Sequence, residues 1–186
     1  GEETAGIENL NKAIAVDPGD VPARLELATK ALLGRKLSEA SEQVNQVLAR
    51  FPRHLAAHVL RADISLAEGR TDEARKVYNY LITSFPKSPQ GYWKLGVLEE
   101  KDNHVDAAIE NYRKALSFDL NVLVPAQRLS KLLVAKNGVA SAKQEITKLS
   151  EKSKKSQPEY NYILASLTLA DPSDAGRAEH AREYLE

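Results

Sequence analysis

The sequence predicts an all-α chain built of antiparallel helix pairs. Three observations predict it. A pattern recurs every 34 residues, small residues return at two fixed places within it, and apolar residues form columns at helical spacing between them. The clearest copy runs from Pro89 to Val122, PQGYWKLGVLEEKDNHVDAAIENYRKALSFDLNV, where two amphipathic patterns flank a polar break at Lys101-Asp102-Asn103-His104. Leu55 to Ser88 and Val21 to His54 repeat it in the same register.

Counted from Val21, Leu55, Pro89 and Leu123, the eighth residue is Ala28, Ala62, Gly96 and Ser130, and the twentieth is Ala40, Ala74, Ala108 and Ala142. Small residues at two fixed places imply that two helices approach closely there. The seventh column (Leu27, Arg61, Leu95, Leu129) and the twenty-fourth (Val44, Tyr78, Tyr112, Ile146) give each helix one buried face. The adjoining columns Val47, Leu81, Ala115, Leu149 and Leu48, Ile82, Leu116, Ser150 extend the second-helix face. Pro18, Pro52 and Pro86 cannot continue a preceding helix, so they mark the turn into the next repeat.

Leu95-Gly96, Ala108, Tyr112, Ala115-Leu116 and the proline column resemble the tetratricopeptide repeat. The resemblance is strongest over residues 21–122. It implies a right-handed α-α superhelix, a solenoid of about four to five repeats in a single domain over residues 1–186. The fourth repeat departs from the family pattern, with Ala126 in place of an aromatic and no closing proline. Arg61 and Glu99 stand where the family usually has apolar residues.

Taken in order, residues 1–20 match only the second half of a repeat, with Leu10, Ala13 and Ile14 on its apolar columns. Glu2, Glu3, Glu8 and Lys12 would supply the polar outer face that a solenoid end needs. Repeats 21–54, 55–88 and 89–122 follow, with breaks at Gly34, Gly69 and Asn103. Ser38, Asp72 and Asp106 recur in the first turn of each second helix, where oxygen atoms can accept backbone N–H bonds or favour the positive helix end. Residues 123–156 form a degenerate repeat broken at Asn137-Gly138. Residues 157–186 form another: Pro158 suits its start, Tyr160, Ile163, Leu164 and Leu167 give an apolar face, Asp171-Pro172-Ser173-Asp174 is a turn, and Ala178, Ala181 and Leu185 ride on the last helix. The half repeat at the start reads as a piece of a longer protein.

Lys plus Arg equals Asp plus Glu, at 26 each, so the chain has no electrostatic footprint for nucleic acid or an anionic membrane. Lys143 to Lys155 carries five lysines against two glutamates; it reads as a solvated helix face, with an acidic partner site as the alternative. The absence of cysteine excludes disulfides, thiolate metal sites and a cysteine nucleophile. No apolar run suits direct membrane insertion. No nucleophile, phosphate-loop or zinc-protease motif occurs, so no catalytic residues, cofactor or metal are expected and the chain reads as non-enzymatic. His54 and His58, four residues apart, could share a helix face, but a metal site needs a third ligand. His104 and His180 are read as solvated.

The family resemblance implies a concave groove lined by first helices. Carried over, it contains Leu25, Thr29 and Leu32; Val59, Asp63 and Leu66; Trp93, Val97 and Glu100; and Gln127 and Lys131, with Val134 and Asn161 continuing it. Its middle is apolar and Trp93 lies near the centre. Leu25, Val59 and Trp93 are read as anchors for a partner, with partial burial between helices as the alternative. Relatives that clamp a C-terminal carboxylate carry Lys and Asn where this chain has Leu25 and Thr29, so an extended or helical apolar segment is the expected ligand. The leading functional expectation is a protein–protein interaction scaffold. The alternative is a structural spacer or self-associating segment of a larger bacterial envelope or secretion protein, with either bacterial cytoplasm or periplasm compatible.

Overall fold

The computed structural model of the protein describes residues 2–153 and 157–186, and only the backbone of residues 2–4 and 157. Lys154 and Lys155, and the side chains of Glu2 and Glu3, therefore lie outside what is described. The described residues form eleven α-helices and no strand. They fall into two compact units, Gly1–Pro86 and Lys87–Glu186.

The N-terminal unit holds α1 (Glu2–Val16), α2 (Val21–Leu33), α3 (Leu37–Arg50), α4 (Leu55–Ala67) and α5 (Thr71–Ser84). Helices α2 and α3 pair, as do α4 and α5; α1 packs on α2, α3 on α4, and α2 on α4. The C-terminal unit holds α6 (Pro89–Lys101), α7 (Val105–Phe118), α8 (Leu123–Asn137), α9 (Val139–Lys152), α10 (Gln157–Leu169) and α11 (Arg177–Glu183). There α6 pairs with α7, α8 with α9 and α10 with α11, while α8 also packs on α6, α7 and α10.

The column residues build these cores. All eight small residues are buried, with Ala28, Ala40, Ala62, Ala74, Ala108 and Ala142 wholly so. Gly96 shows why size matters: a Cβ there would come within 2.7 Å of the Tyr112 ring. Val44, Tyr78, Tyr112 and Ile146 are also sealed. In the α6–α7 pair the second helix thus inserts a large side chain, Tyr112, beside a small one on its partner, Gly96.

The breaks repeat in backbone geometry as well as in sequence. Arg35, Gly69 and Asn103 occupy equivalent places and have φ of 60°, 81° and 61°. The left-handed residue in the first repeat is therefore Arg35 rather than Gly34, whose φ is −75°. Gly34 has room for right-handed backbone, whereas the reversal of chain direction falls one residue later. In the fourth repeat α8 runs on through Asn137, and Gly138, at φ 84°, alone forms the break.

Helix capping differs from the sequence expectation. Asp20 accepts a hydrogen bond from the Ala23 N–H at 2.9 Å, and Nδ1 of His54 accepts one from the Ala57 N–H at 3.3 Å. The side-chain caps thus serve first helices. Ser38, Asp72 and Asp106 sit inside the second helices, which have no side-chain cap bond, so a charge–dipole role replaces capping for the two aspartates, and Asp106 also pairs with Lys136.

In the last pair, Tyr160, Ile163, Leu164 and Leu167 are buried as the periodicity predicts, and the Tyr160 hydroxyl donates to the Leu120 carbonyl at 2.9 Å. Helix α11 has only seven residues. It buries Ala181, while Ala178 is exposed and Leu185 lies beyond its end, 59% exposed. A helix of two turns cannot present the longer apolar stripe expected of it.

The two polar intrusions are accommodated differently. Glu99 is buried and bonded to Nδ1 of His104 at 2.8 Å, so His104 is not simply solvated. Arg61 is exposed. His180 is exposed too, but its Nδ1 lies 2.9 Å from both carboxylate oxygens of Asp174.

Arg35→Gly should raise unfolding free energy by about 1 kcal/mol in urea titration, because glycine relieves a left-handed penalty borne by a side chain. A second expectation concerns acid. Burial, the largest cause, depresses the His58 pKa, so this residue folds neutral while its unfolded form protonates near about 6.5. Its contribution is present above that pH and is lost as pH falls. The loss of stability between about pH 7 and 5 should be shallower in His58→Phe than in the parent chain, measured by urea unfolding across that range.

Candidate partner-binding surface

In the N-terminal unit, α2 carries Leu25, Thr29 and Leu32, and α4 carries Val59, Asp63 and Leu66. Leu25 and Leu32 are half-buried against the unit's core, and Val59 and Leu66 are also half-buried. Thr29 is exposed, but its hydroxyl donates back to the Leu25 carbonyl at 2.8 Å. Asp63 accepts a 2.9 Å hydrogen bond from the buried Tyr78 hydroxyl. Burial and the adjacent carboxylate push the Tyr78 pKa far above its usual value.

In the C-terminal unit, Trp93 and Val97 on α6 are half-buried and pack against the core, and the Lys94 ammonium lies 4.8 Å from the Trp93 ring centroid. Glu100 accepts hydrogen bonds from the Tyr112 hydroxyl at 2.6 Å and from the Arg128 guanidinium at 3.1 Å. Burial, then this bond, raises the Tyr112 pKa strongly. Asp63 and Glu100 are therefore committed to holding second-helix tyrosines, a role that the sequence reading of them as a groove rim missed. The signal was available: each lies in the chain ahead of a tyrosine in the twenty-fourth column.

Gln127 and Lys131 on α8 are exposed. With Ser130 and half-buried Val134 they form one wall of a cleft of about 480 Å³ between α8 and α10. Tyr162, Ile163, Ser166, Leu167 and Ala170 form the other. Tyr162 is 64% exposed, which makes it the most accessible aromatic beside a concavity. Sequence reasoning chose Asn161 for this helix and passed over its neighbour; an aromatic standing outside the apolar columns of α10 is the clue that would have found it. Of the thirteen residues that the sequence places along the groove, Gln127, Lys131 and Val134 line this cleft. Among the described residues it has one lining cation, Lys131, and no lining carboxylate.

The two close histidines are engaged otherwise. His54 caps α4, and Nε2 of His58 bonds the Pro52 carbonyl at 2.8 Å while its ring lies 4.8 Å from that of Tyr80. Among the described residues no group of three or more His, Asp or Glu side chains could hold a metal ion, and no helix is long and apolar enough to cross a membrane.

The sequence model of the tetratricopeptide repeat matches residues 25–89 and 66–120, together just over half of the chain. The chain belongs to the tetratricopeptide repeat family. No curated protein matches it. Among solved structures it resembles a thermophilic tetratricopeptide protein of Thermus thermophilus at 19% identity and TM-score 0.69, over 90% of this chain and 91% of that one. Yeast Tom70 aligns at 14% identity and TM-score 0.78, over 96% of this chain and 37% of that one. A chain of the APC/C hetero-tetramer Cut9–Hcn1 aligns at 17% identity and TM-score 0.68, over 98% of this chain and 36% of that one. At these identities the likeness is one of fold.

The division of labour among the polar residues can be measured. Glu100→Ala should cost about 2 kcal/mol of stability by removing a charged acceptor from buried Tyr112, whereas Gln127→Ala should change it by no more than about 0.5 kcal/mol in the same urea titration.

Proposed function

We propose that the chain is a non-catalytic protein-interaction scaffold whose first helices hold an apolar segment of a partner protein. The α8–α10 cleft seats the main anchor of that segment. The observation that carries this reading is the pairing of an exposed Tyr162 with a cleft whose walls include Val134, Ile163, Leu167 and Ala170. An aromatic lip over an apolar floor is the arrangement from which interface hot spots are made. Lys131 at the rim favours a partner segment with a carboxylate beside its apolar anchor. Family membership supports the reading, and the Cut9–Hcn1 hetero-tetramer is an assembly of protein chains on a similar fold.

Within the same proposal Leu25, Val59 and Trp93 play a secondary part. Each is half-buried, so each adds only a limited apolar strip to the surface of its own unit. Trp93→Ala would remove packing as well as contact area, because the ring lies on the core of its unit.

A displayed peptide library panned against the chain should return apolar segments with an adjacent acidic residue. Tyr162→Ala should weaken the selected peptides by about 2 kcal/mol in calorimetric titration, with helicity unchanged. Peptides that bind Tyr162→Ala as tightly as the parent would overturn the assignment of the cleft. Light scattering across concentration supplies the other arm: a ladder of assemblies that Tyr162→Ala abolishes would make a second copy the occupant and favour the self-associating alternative.

A further inference from the structure

A second concavity lies in the N-terminal unit and has a different chemistry. It encloses about 420 Å³ between α3, α4 and α5. Val44 and Ile64 give it a sealed apolar floor. Around that floor stand Arg61, Lys76, Asn45 and Ser65, with Arg70 and Glu73 at one edge. Helical geometry sets it apart from the proposed groove: Arg61, Ile64 and Ser65 share one face of α4, and Val59, Asp63 and Leu66 share the opposite one.

The cavity opens where the repeat breaks its own rule. The seventh column is leucine in the other repeats, and Leu95 and Leu129 are buried. Arg61 at that place is exposed. An arginine that leaves an apolar column brings a permanent charge to the cavity it fails to fill. The cavity's polar wall is rich in donors. Arg61 and Lys76 are cations, Asn45 offers an amide, and Ser65, only 4% exposed, offers a hydroxyl that no described residue engages. Among the described residues the one lining carboxylate, Glu73, is already bonded to Arg70 at 2.7 Å. Arg70 is held by Glu68 as well, so its charge is met locally. Among the described residues no carboxylate pairs with Arg61 or Lys76.

We propose that this cavity is a second binding site, which takes an anionic oxygen group, phosphate or carboxylate, carried by a partner. Arg61 supplies the planar fork that pairs with two oxygens at once, Lys76 a point charge, and Ser65 a neutral donor from the buried side. The site is independent of the groove reading and shares no residue with the α8–α10 cleft.

The test uses inorganic phosphate and, in a separate arm, acetate, titrated into the labelled chain at constant ionic strength, with amide and arginine side-chain NMR signals followed. Saturable shifts confined to Arg61, Ser65 and their neighbours are expected. Arg61→Leu, which restores the residue used by the other repeats, should keep the fold and lose affinity about tenfold or more. Lys76→Ala, at an exposed position, should weaken it less. A response to phosphate alone assigns the site to a phosphate-bearing partner, and an equal response to acetate assigns it to a carboxylate. Shifts that grow linearly without saturating, or that persist unchanged in Arg61→Leu, would overturn the proposal.

Discussion

The close approach of two helices at a pair of small residues is the constraint on which the rest of the structure depends. Where the first helix carries Ala28, Ala62, Gly96 or Ser130 and the second carries alanine, the backbones come close enough for Val44, Tyr78, Tyr112 or Ile146 to fill the remaining space. The Gly96–Tyr112 pair marks the limit of that approach, since even one added methyl group would meet the ring at 2.7 Å. Both ends of the interaction must be kept together. A larger residue in the eighth column forces the helices apart, and a smaller one in the twenty-fourth leaves a void.

The parts of the fold that follow from steric periodicity were legible in the sequence. Small columns, large columns and proline turns read directly onto buried pairs and helix ends, because each depends on one residue at one place. What was illegible depended on two groups meeting. His54 reads as a boundary residue until its ring is seen to accept the Ala57 N–H. Asp63 and Glu100 read as rim charges until the tyrosine hydroxyls are seen to point at them. Arg35 hid its conformation because Gly34 beside it offered the more conventional break. At the candidate site, Gln127, Lys131 and Val134 were found from the repeat register, whereas Tyr162 required the wall opposite them to be in view.

Polar residues in apolar columns mark the two outcomes open to such an intrusion. Glu99 is buried and satisfied internally through His104, which closes the position to the outside. Arg61 stays at the surface and leaves a concavity behind it. The first device preserves the interior at the cost of a paired polar group. The second gives up interior packing for a charged opening on the face of α4 turned away from its groove residues.

The buried tyrosines carry a consequence for alkaline conditions. Tyr78, Tyr112 and Tyr160 are sealed, and burial is the first cause that raises the pKa of each, with Tyr160 pushed up to about 12. Nearby carboxylates add to the rise, so a phenolate would form beside an existing negative charge. An unfolded tyrosine loses its proton near about 10, which means that base withdraws support from the native state as pH climbs past that value. The phenolic absorbance of these residues should therefore appear together with loss of helicity rather than ahead of it. The side chains that wedge the helix pairs together also set the basic limit of the fold.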